Sequence, residues 1–315
     1  MRNWRDRLPE ELDFMRAGRL PQKSSNESMT GKVCLITGAT SGVGYVTALR
    51  LAEAGAEIVF IARSKEKAEQ LSRELQELTG TPPVYYLADF TDLEQVRKTA
   101  HAILGEHPKI DVLINNAGVH MTTRQLTTEG HETAFCVNHL ASFTMTVLLL
   151  KRMVDSAPSR ILQVNSEGHR FNGLRLDDLN WERRPYRGLK GYGASKTAQL
   201  MTVWELNELL SGSGVSINAV HPGAVKSNIG HNNGWMYNAY SKGLIQPLLK
   251  KTEISGEAIY YLASSKEMDH VSGKFFNLTN EEIPAKHARD RKLGKELFQK
   301  TKELTGLENQ KYYEI

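Results

Sequence analysis

Short continuous apolar runs alternate with helical-period segments along most of this chain, and that alternation constrains its fold more than any other feature. "KVCLIT" is followed by "VGYVTALRLAEAG", which has helical periodicity and ends on Gly55. "AEIVFIA" leads into a charged helix from Lys65 to Thr79, and "PVYYLA" into "DLEQVRKTAHAIL". "IDVLIN", a long helix from about Glu129 to Val154, and "RILQVN" continue the series; the helix "YGASKTAQLMTVWELNELL" precedes "VSINAVH". A helix from about Thr252 to Ser264 and the strand "GKFFNL" close it. Strands without polar alternation are buried on both faces, and strand–helix repetition builds a parallel sheet with helices on either side. Seven such strands fit between residues 32 and 278. The expected fold is therefore α/β: one doubly wound, Rossmann-type domain on a seven-stranded parallel sheet. The length of 315 residues alone would suggest about two domains, but a single α/β domain can reach ~250 residues. Residues 1–30 and 281–315 then flank a body of 31–280 as an N-terminal extension and a helical C-terminal one.

Formal net charge is +4 and no compact Lys/Arg block occurs, so nothing argues for nucleic acid. Cys34 and Cys136 sit inside apolar runs, with no CxxC and no His/Cys cluster. They read as buried reduced thiols, which points to a cytoplasmic location and to no metal. No apolar run approaches the ~18 residues needed to cross a bilayer, so no membrane span is expected. The N-terminal stretch lacks the apolar core of a secretory signal. It is expected to form a short amphipathic helix between Pro9 and Gly18, with Leu8, Leu12 and Met15 on one side. Residues 227–251 follow the sixth strand and mix Trp235, Met236, Tyr237 and Tyr240 with Gly and Asn. A long segment at a strand's carboxyl end suits a ligand lid.

"TGATSGVG", residues 37–44, lies between the first strand and its helix. Gly38 permits the tight turn, Gly42 lets backbone N–H groups approach a pyrophosphate, and Gly44 lets helix and strand pack closely. The helix N-terminus favours the anion. Thr40, Ser41 and Val43 complete this candidate cofactor turn. No carboxylate for an adenosine ribose stands near residues 61–63. Arg63 is there instead, followed by Ser64 and Lys65. Guanidinium and hydroxyl suit a 2′-phosphate, which favours NADP(H) over NAD(H). Asp89, with Phe90 beside it at the end of the third strand, is a candidate acceptor for the adenine amino group.

Taken in order, "TGATSGVG", "NNAG" at 115–118, "VNH" at 137–139, "VNSEGH" at 164–169, "YGASK" at 192–196 and "HPG" at 221–223 resemble the short-chain dehydrogenase/reductase family. The resemblance covers residues 32–278. "TTEGHETAFCVNHLASF" and the long gap between Ser166 and Tyr192 are most similar to the retinol-dehydrogenase-like branch. The resemblance implies a carbonyl/alcohol oxidoreductase with a small-molecule substrate. In it Tyr192 is the acid/base, Lys196 lowers that tyrosine's pKa and binds the nicotinamide ribose, Ser166 polarises the substrate oxygen, and Asn138 organises a proton-relay water. It further implies that Asn116, Ala117 and Gly118 line the adenosine side. Pro222, Gly223 and Val225 would hold the carboxamide, with Ser227 as partner. A homodimer through the long helices around Asn138 and Tyr192 is implied too, unless the flanking segments cover them. The sequence departs from the pattern in having Asn165 before the serine and Glu167 after it. Glu167 either selects polar or cationic substrates or faces solvent. The membrane anchor of many members is missing, which argues against a lipid substrate.

The spacing of "YGASK" has a physical reason. Residues four apart lie on one helix face. A free phenol titrates near ~10, and a nearby ammonium favours its ionised form. His120, His139, His169 and His221 read as structural; only His169 is close enough to Ser166 to be a candidate substrate contact. The rival to an enzyme is a dinucleotide-sensing protein on the same fold, for which the Tyr192–Lys196 pair would have no use.

Overall fold

The computed structural model describes residues 20–223, 252–309, 311, 313 and 314. The amphipathic N-terminal segment, the lid at 227–251, Val225 and Ser227 lie outside the described residues. Eight strands form one sheet in the order β3-β2-β1-β4-β5-β6-β7-β8. These are β1 (Val33–Thr37), β2 (Glu57–Ala62), β3 (Val84–Leu87), β4 (Val112–Asn115), β5 (Ser159–Val164), β6 (Val215–His221), β7 (Phe275–Asn277) and β8 (Asn280–Glu281). The first seven are the strands expected, and all their pairings are parallel. The eighth is a two-residue antiparallel addition on β7, too short to leave a pattern in the sequence. The order reverses between β1 and β4, and a doubly wound sheet opens a crevice there.

The apolar strands bury both faces. Along β1, Leu35 enters one core while Cys34 and Ile36 enter the other, and all three are fully buried. Each large side chain so buried contributes about 1.5–3 kcal/mol. Among the described residues, six helices flank the sheet and a seventh packs on the fifth: α1 (Gly42–Glu53), α2 (Lys65–Thr79), α3 (Leu93–Glu106), α4 (Thr133–Asp155), α5 (Gly188–Leu209), α6 (Glu253–Ser264) and α7 (Arg291–Thr305). Local chemistry sets their ends. Ser64 caps α2 by accepting from Lys67 N, and Gly80 closes it in the left-handed conformation. Asp92 caps α3 through Glu94 N and Gln95 N.

Two boundaries differ from the sequence reading. The helix expected from Glu129 starts at Thr133, because Gly130 turns with positive φ and Leu126 bridges to Glu132. The buried Glu132 carboxylate then caps the helix at Ala134 N and Phe135 N. Cys136–Leu140 follows as a π-helical segment within α4. The helix carrying "YGASK" begins at Gly188, so Tyr192 sits in its second turn. One further expectation is corrected. Thr133–Asp155 is long and apolar enough to cross a membrane, but nearly all of that stretch is buried inside the fold. Its Ser and Thr residues interrupt the apolar run without making the stretch polar, and they satisfy their hydroxyls on the preceding turn, as Ser142 and Thr144 do.

The flanking segments are docked on the body. Gln22 and Lys23 bond Thr279, and Tyr260 Oη donates to Glu27 O. Both cysteines are free and buried; burial pushes the Cys136 thiol up to about 12 and Cys34 up as well.

Candidate active site

A cleft of about 970 Å³ runs across the carboxyl ends of the strands, from Arg63 to Tyr192. At one end lies the glycine turn, with Gly38, Thr40, Ser41, Gly42 and Val43 on the wall. Gly44 stands behind it. A Cβ there would lie 2.4 Å from Gly38 O and from Asn116 Nδ2, so only glycine lets α1 approach the strand end this closely. Asn116 locks the turn by donating Nδ2 to Thr37 O and Gly38 O, both at 2.9 Å. Thr37 Oγ1 accepts the N–H groups of Asn116 and Ala117. A turn held this way presents backbone N–H groups and a helix N-terminus to an anion.

Arg63 is exposed on the cleft wall and makes no ion pair or hydrogen bond among the described residues. Lys67 lines the same corner and was not anticipated, whereas Lys65 points away and lies 3.8 Å from Glu69. The Ser64 hydroxyl is already engaged, capping α2 and donating to Glu66 Oε2 at 2.7 Å. Asp89 and Phe90 line the cleft, and Asp89 Oδ1 accepts from Thr91 N and Oγ1. Ala117, Gly118, Pro222 and Gly223 are also on its wall. A nicotinamide dinucleotide fits this donor set: a close-approach turn for its phosphates and a free guanidinium at the adenosine end.

At the other end β5 delivers Ser166, which caps a 3-10 turn over Glu167–Phe171 with its Oγ 3.0 Å from Gly168 N. Asn165 Oδ1 accepts from Ser166 N at 2.8 Å. The second and third turns of α5 bring Tyr192 and Lys196 alongside. Gly168 rests on the tyrosine ring: a Cβ there would lie 2.6 Å from Tyr192 Cε1. His120 lies edge-on to the same ring, centroids 5.5 Å apart. Lys196 Nζ stands 5.7 Å from the ring centroid and donates to Val164 O (3.0 Å) and Gln199 Oε1 (2.8 Å). Burial pushes the Tyr192 phenol up to about 12, opposite to the direction expected from a neighbouring ammonium, and the Ser166 hydroxyl pulls it back. Burial pulls Lys196 down to about 7.

Asn138, in the π-helical segment, donates Nδ2 to Ser195 Oγ (2.8 Å) and Val119 O, and accepts from Val119 N (2.7 Å). It thereby ties the turn after β4 to α5. His169 is not a substrate contact. It is fully buried, donates Nδ1–H to Ser166 O at 2.8 Å and accepts Ala285 N–H at Nε2. Glu167 lines the cleft but does not meet solvent freely. Its carboxylate turns to Arg170 Nε (2.6 Å), whose guanidinium also holds the buried Glu282. Met121, Phe171 and Leu189, which the sequence does not single out within their segments, also line the cleft, Met121 buried and the other two exposed at its mouth; only helix and turn geometry reveals which way they face.

The model of the short chain dehydrogenase family matches residues 32–237. Human "Retinol dehydrogenase 13" is 36% identical over 94% of this chain and 90% of its own length. Human "Retinol dehydrogenase 14" is 35% identical over 93% and 91%. Among solved structures, an uncharacterised protein from Mycobacterium paratuberculosis superposes with a TM-score of 0.71 at 29% identity, covering 89% of this chain and 95% of that one. A short chain dehydrogenase from Burkholderia cenocepacia, solved in complex with NADP, is 23% identical with a TM-score of 0.63 over 79% and 97%, and shares the fold.

Proposed function

The chain belongs to the short-chain dehydrogenase family, in its retinol-dehydrogenase-like branch, and we propose that it is an NADP(H)-dependent oxidoreductase interconverting a carbonyl and an alcohol, with Tyr192 as the acid/base. One observation carries this reading: the trio Ser166, Tyr192 and Lys196 shares a single cleft with the glycine turn and with Arg63, which has no partner among the described residues. The bound dinucleotide supplies or takes the hydride. Ser166 Oγ and Tyr192 Oη donate hydrogen bonds to the substrate oxygen as it gains negative charge, and Tyr192 gives up its proton. Burial pushes the Tyr192 phenol up, so at neutral pH it carries the proton that reduction requires it to give to the developing alkoxide. Met121 and the exposed Phe171 and Leu189 at the mouth suit a substrate with an apolar body. Retinoid aldehydes, suggested by the relatives' names, therefore belong in the substrate panel beside simple aldehydes and ketones. The free buried thiols support a cytoplasmic location.

The test is Tyr192→Phe in the full chain, assayed for carbonyl reduction with NADPH and NADH. Turnover is expected to fall by about 10²–10⁴-fold while NADPH binding, read by fluorescence, holds. Turnover that survives the change within tenfold would remove Tyr192 from the chemistry. Cofactor binding by the unmodified protein with no turnover of any carbonyl would favour a sensor.

A further inference from the structure

Lys196 sits where a cation is hard to keep. It is 2% exposed, and the cost of desolvating its charge is unopposed by any nearby carboxylate. Among the described residues, the ionisable groups that face it are Tyr192, one turn back on α5, and behind that ring His120. The other elements packed on it present Val164 from β5, Gly118 after β4 and Asn138 from α4, none of which titrates. Among the described residues, what remains to stabilise the ammonium is a pair of carbonyl oxygens, Val164 O and Gln199 Oε1.

Gln199 follows Lys196 by three residues and is 1% exposed. Its Oε1 accepts from Lys196 Nζ (2.8 Å) and from Asn165 Nδ2 (3.3 Å), and its Nε2 donates to the backbone oxygen of Asn138. The amide cannot be turned over: reversed, it would set its NH₂ against two donors and its oxygen against a carbonyl. Asn165 in turn accepts from Ser166 N. One carboxamide therefore connects the lysine, the π-helical segment and the serine.

We propose that Gln199 is a positioning residue: its carboxamide oxygen keeps the Lys196 ammonium charged and fixed beside Tyr192, in register with Asn138 and Ser166. An amide oxygen is the strongest neutral acceptor that leaves the ammonium's charge uncancelled, so the cation still acts on the phenol. A carboxylate in its place would hold the lysine more firmly but neutralise it. The consequence for Tyr192 rests on the reaction proposed above; the consequence for Lys196 does not.

The experiment is an NMR titration of Lys196 in the full chain labelled with ¹³C-lysine, the resonance assigned by its loss in Lys196→Met. Two variants bracket the acceptor: Gln199→Met keeps the length and removes the oxygen, while Gln199→Glu keeps the shape and adds charge. The Lys196 midpoint is expected to fall by about one pH unit, a tenfold change in its proton affinity, in Gln199→Met. It is expected to rise in Gln199→Glu. In the activity arm, the limb of alcohol oxidation that rises with pH moves to higher pH in Gln199→Met, because a neutral lysine leaves the phenol harder to ionise. A purely structural glutamine would lower turnover at every pH and leave the limb in place. Midpoints that do not move, or that move the same way in both variants, overturn the proposal. If Gln199→Met does not fold, the direction of the Gln199→Glu shift decides it. Midpoints that move as expected in a chain without turnover would sustain the role of Gln199 and overturn the oxidoreductase reading instead.

Discussion

At the residue scale, cofactor choice turns on Arg63. Its guanidinium is exposed on the cleft wall with no partner among the described residues, and Lys67 stands nearby on the first turn of α2. The carboxylate nearest in sequence, Glu66, takes the Ser64 hydroxyl and sits outside the cleft lining. A 2′-phosphate placed there would gain a charge-assisted pair worth about 1.5–3 kcal/mol, or roughly ten- to a hundredfold in affinity. Arg63→Asp removes that gain and adds repulsion, so NADPH binding should weaken by at least that factor while NADH binding changes by less than about threefold. Fluorescence titration with both cofactors reads the difference, and an equal loss for the two would return Arg63 to the solvated surface. The identity of the second cation was not legible in the sequence. Lys65 and Lys67 are equivalent as letters, and only the helix start at Lys65, set by the Ser64 cap, turns residue 67 back to the cleft and residue 65 toward Glu69.

At the scale of elements, the 3-10 turn Glu167–Phe171 bears directly on Tyr192 through Gly168, and the turn is anchored from outside the body. Arg170 bridges Glu167 and Glu282, His169 accepts Ala285 N–H, and His287 Nε2 donates to His169 O at 2.8 Å. The strands and the motif positions could be read from the chain because apolar runs and glycine spacing are local properties. This anchoring could not, because Arg170 and Glu282 are 112 residues apart and Glu167 read alone is only a carboxylate beside a serine. Burial and the nearby Glu282 push Glu167 up to about 8, against a value near ~4.3 in the unfolded chain. The folded state then holds a proton between those values that the unfolded state has lost. Stability from this group is fully present below about pH 4 and falls as pH rises toward 8. Glu167→Gln cannot lose a proton, so its melting temperature relative to the unmodified chain should climb as pH is raised from 5 to 8. Differential scanning calorimetry across that range measures it; a pH-independent difference would mean that Glu167 is charged in the fold throughout.

At the scale of the whole molecule, the C-terminal segment determines which surfaces are left for other chains. α7 lies along α5, with Leu297 fully buried, Trp204 Nε1 donating to Ala288 O, and Arg291 paired with Glu205 at 3.0 Å. It reaches the π-helical segment as well, where His139 Nε2 meets Thr301 Oγ1 at 2.9 Å and Phe298 packs edge-on to Phe143 at 5.5 Å. The faces of α5 and of the start of α4 that α7 covers are thus taken by the chain's own helix, and these are the helices through which the family resemblance implies pairing. A stable dimer needs roughly 800 Å² per partner, and a second copy could reach these faces only by displacing α7 and exposing Leu297 and Phe298. We therefore expect the full chain to sediment as a monomer at micromolar concentration. A variant ending after Asp290 uncovers Phe143 and the apolar side of α5, and is expected to self-associate or to lose several degrees of melting temperature, since apolar surface returned to water costs about 25 cal/mol per Å². Analytical ultracentrifugation of both chains distinguishes the outcomes. A full-length dimer would have to use a different face, and a shortened chain that stays monomeric and equally stable would mean that α7 covers nothing the fold needs covered.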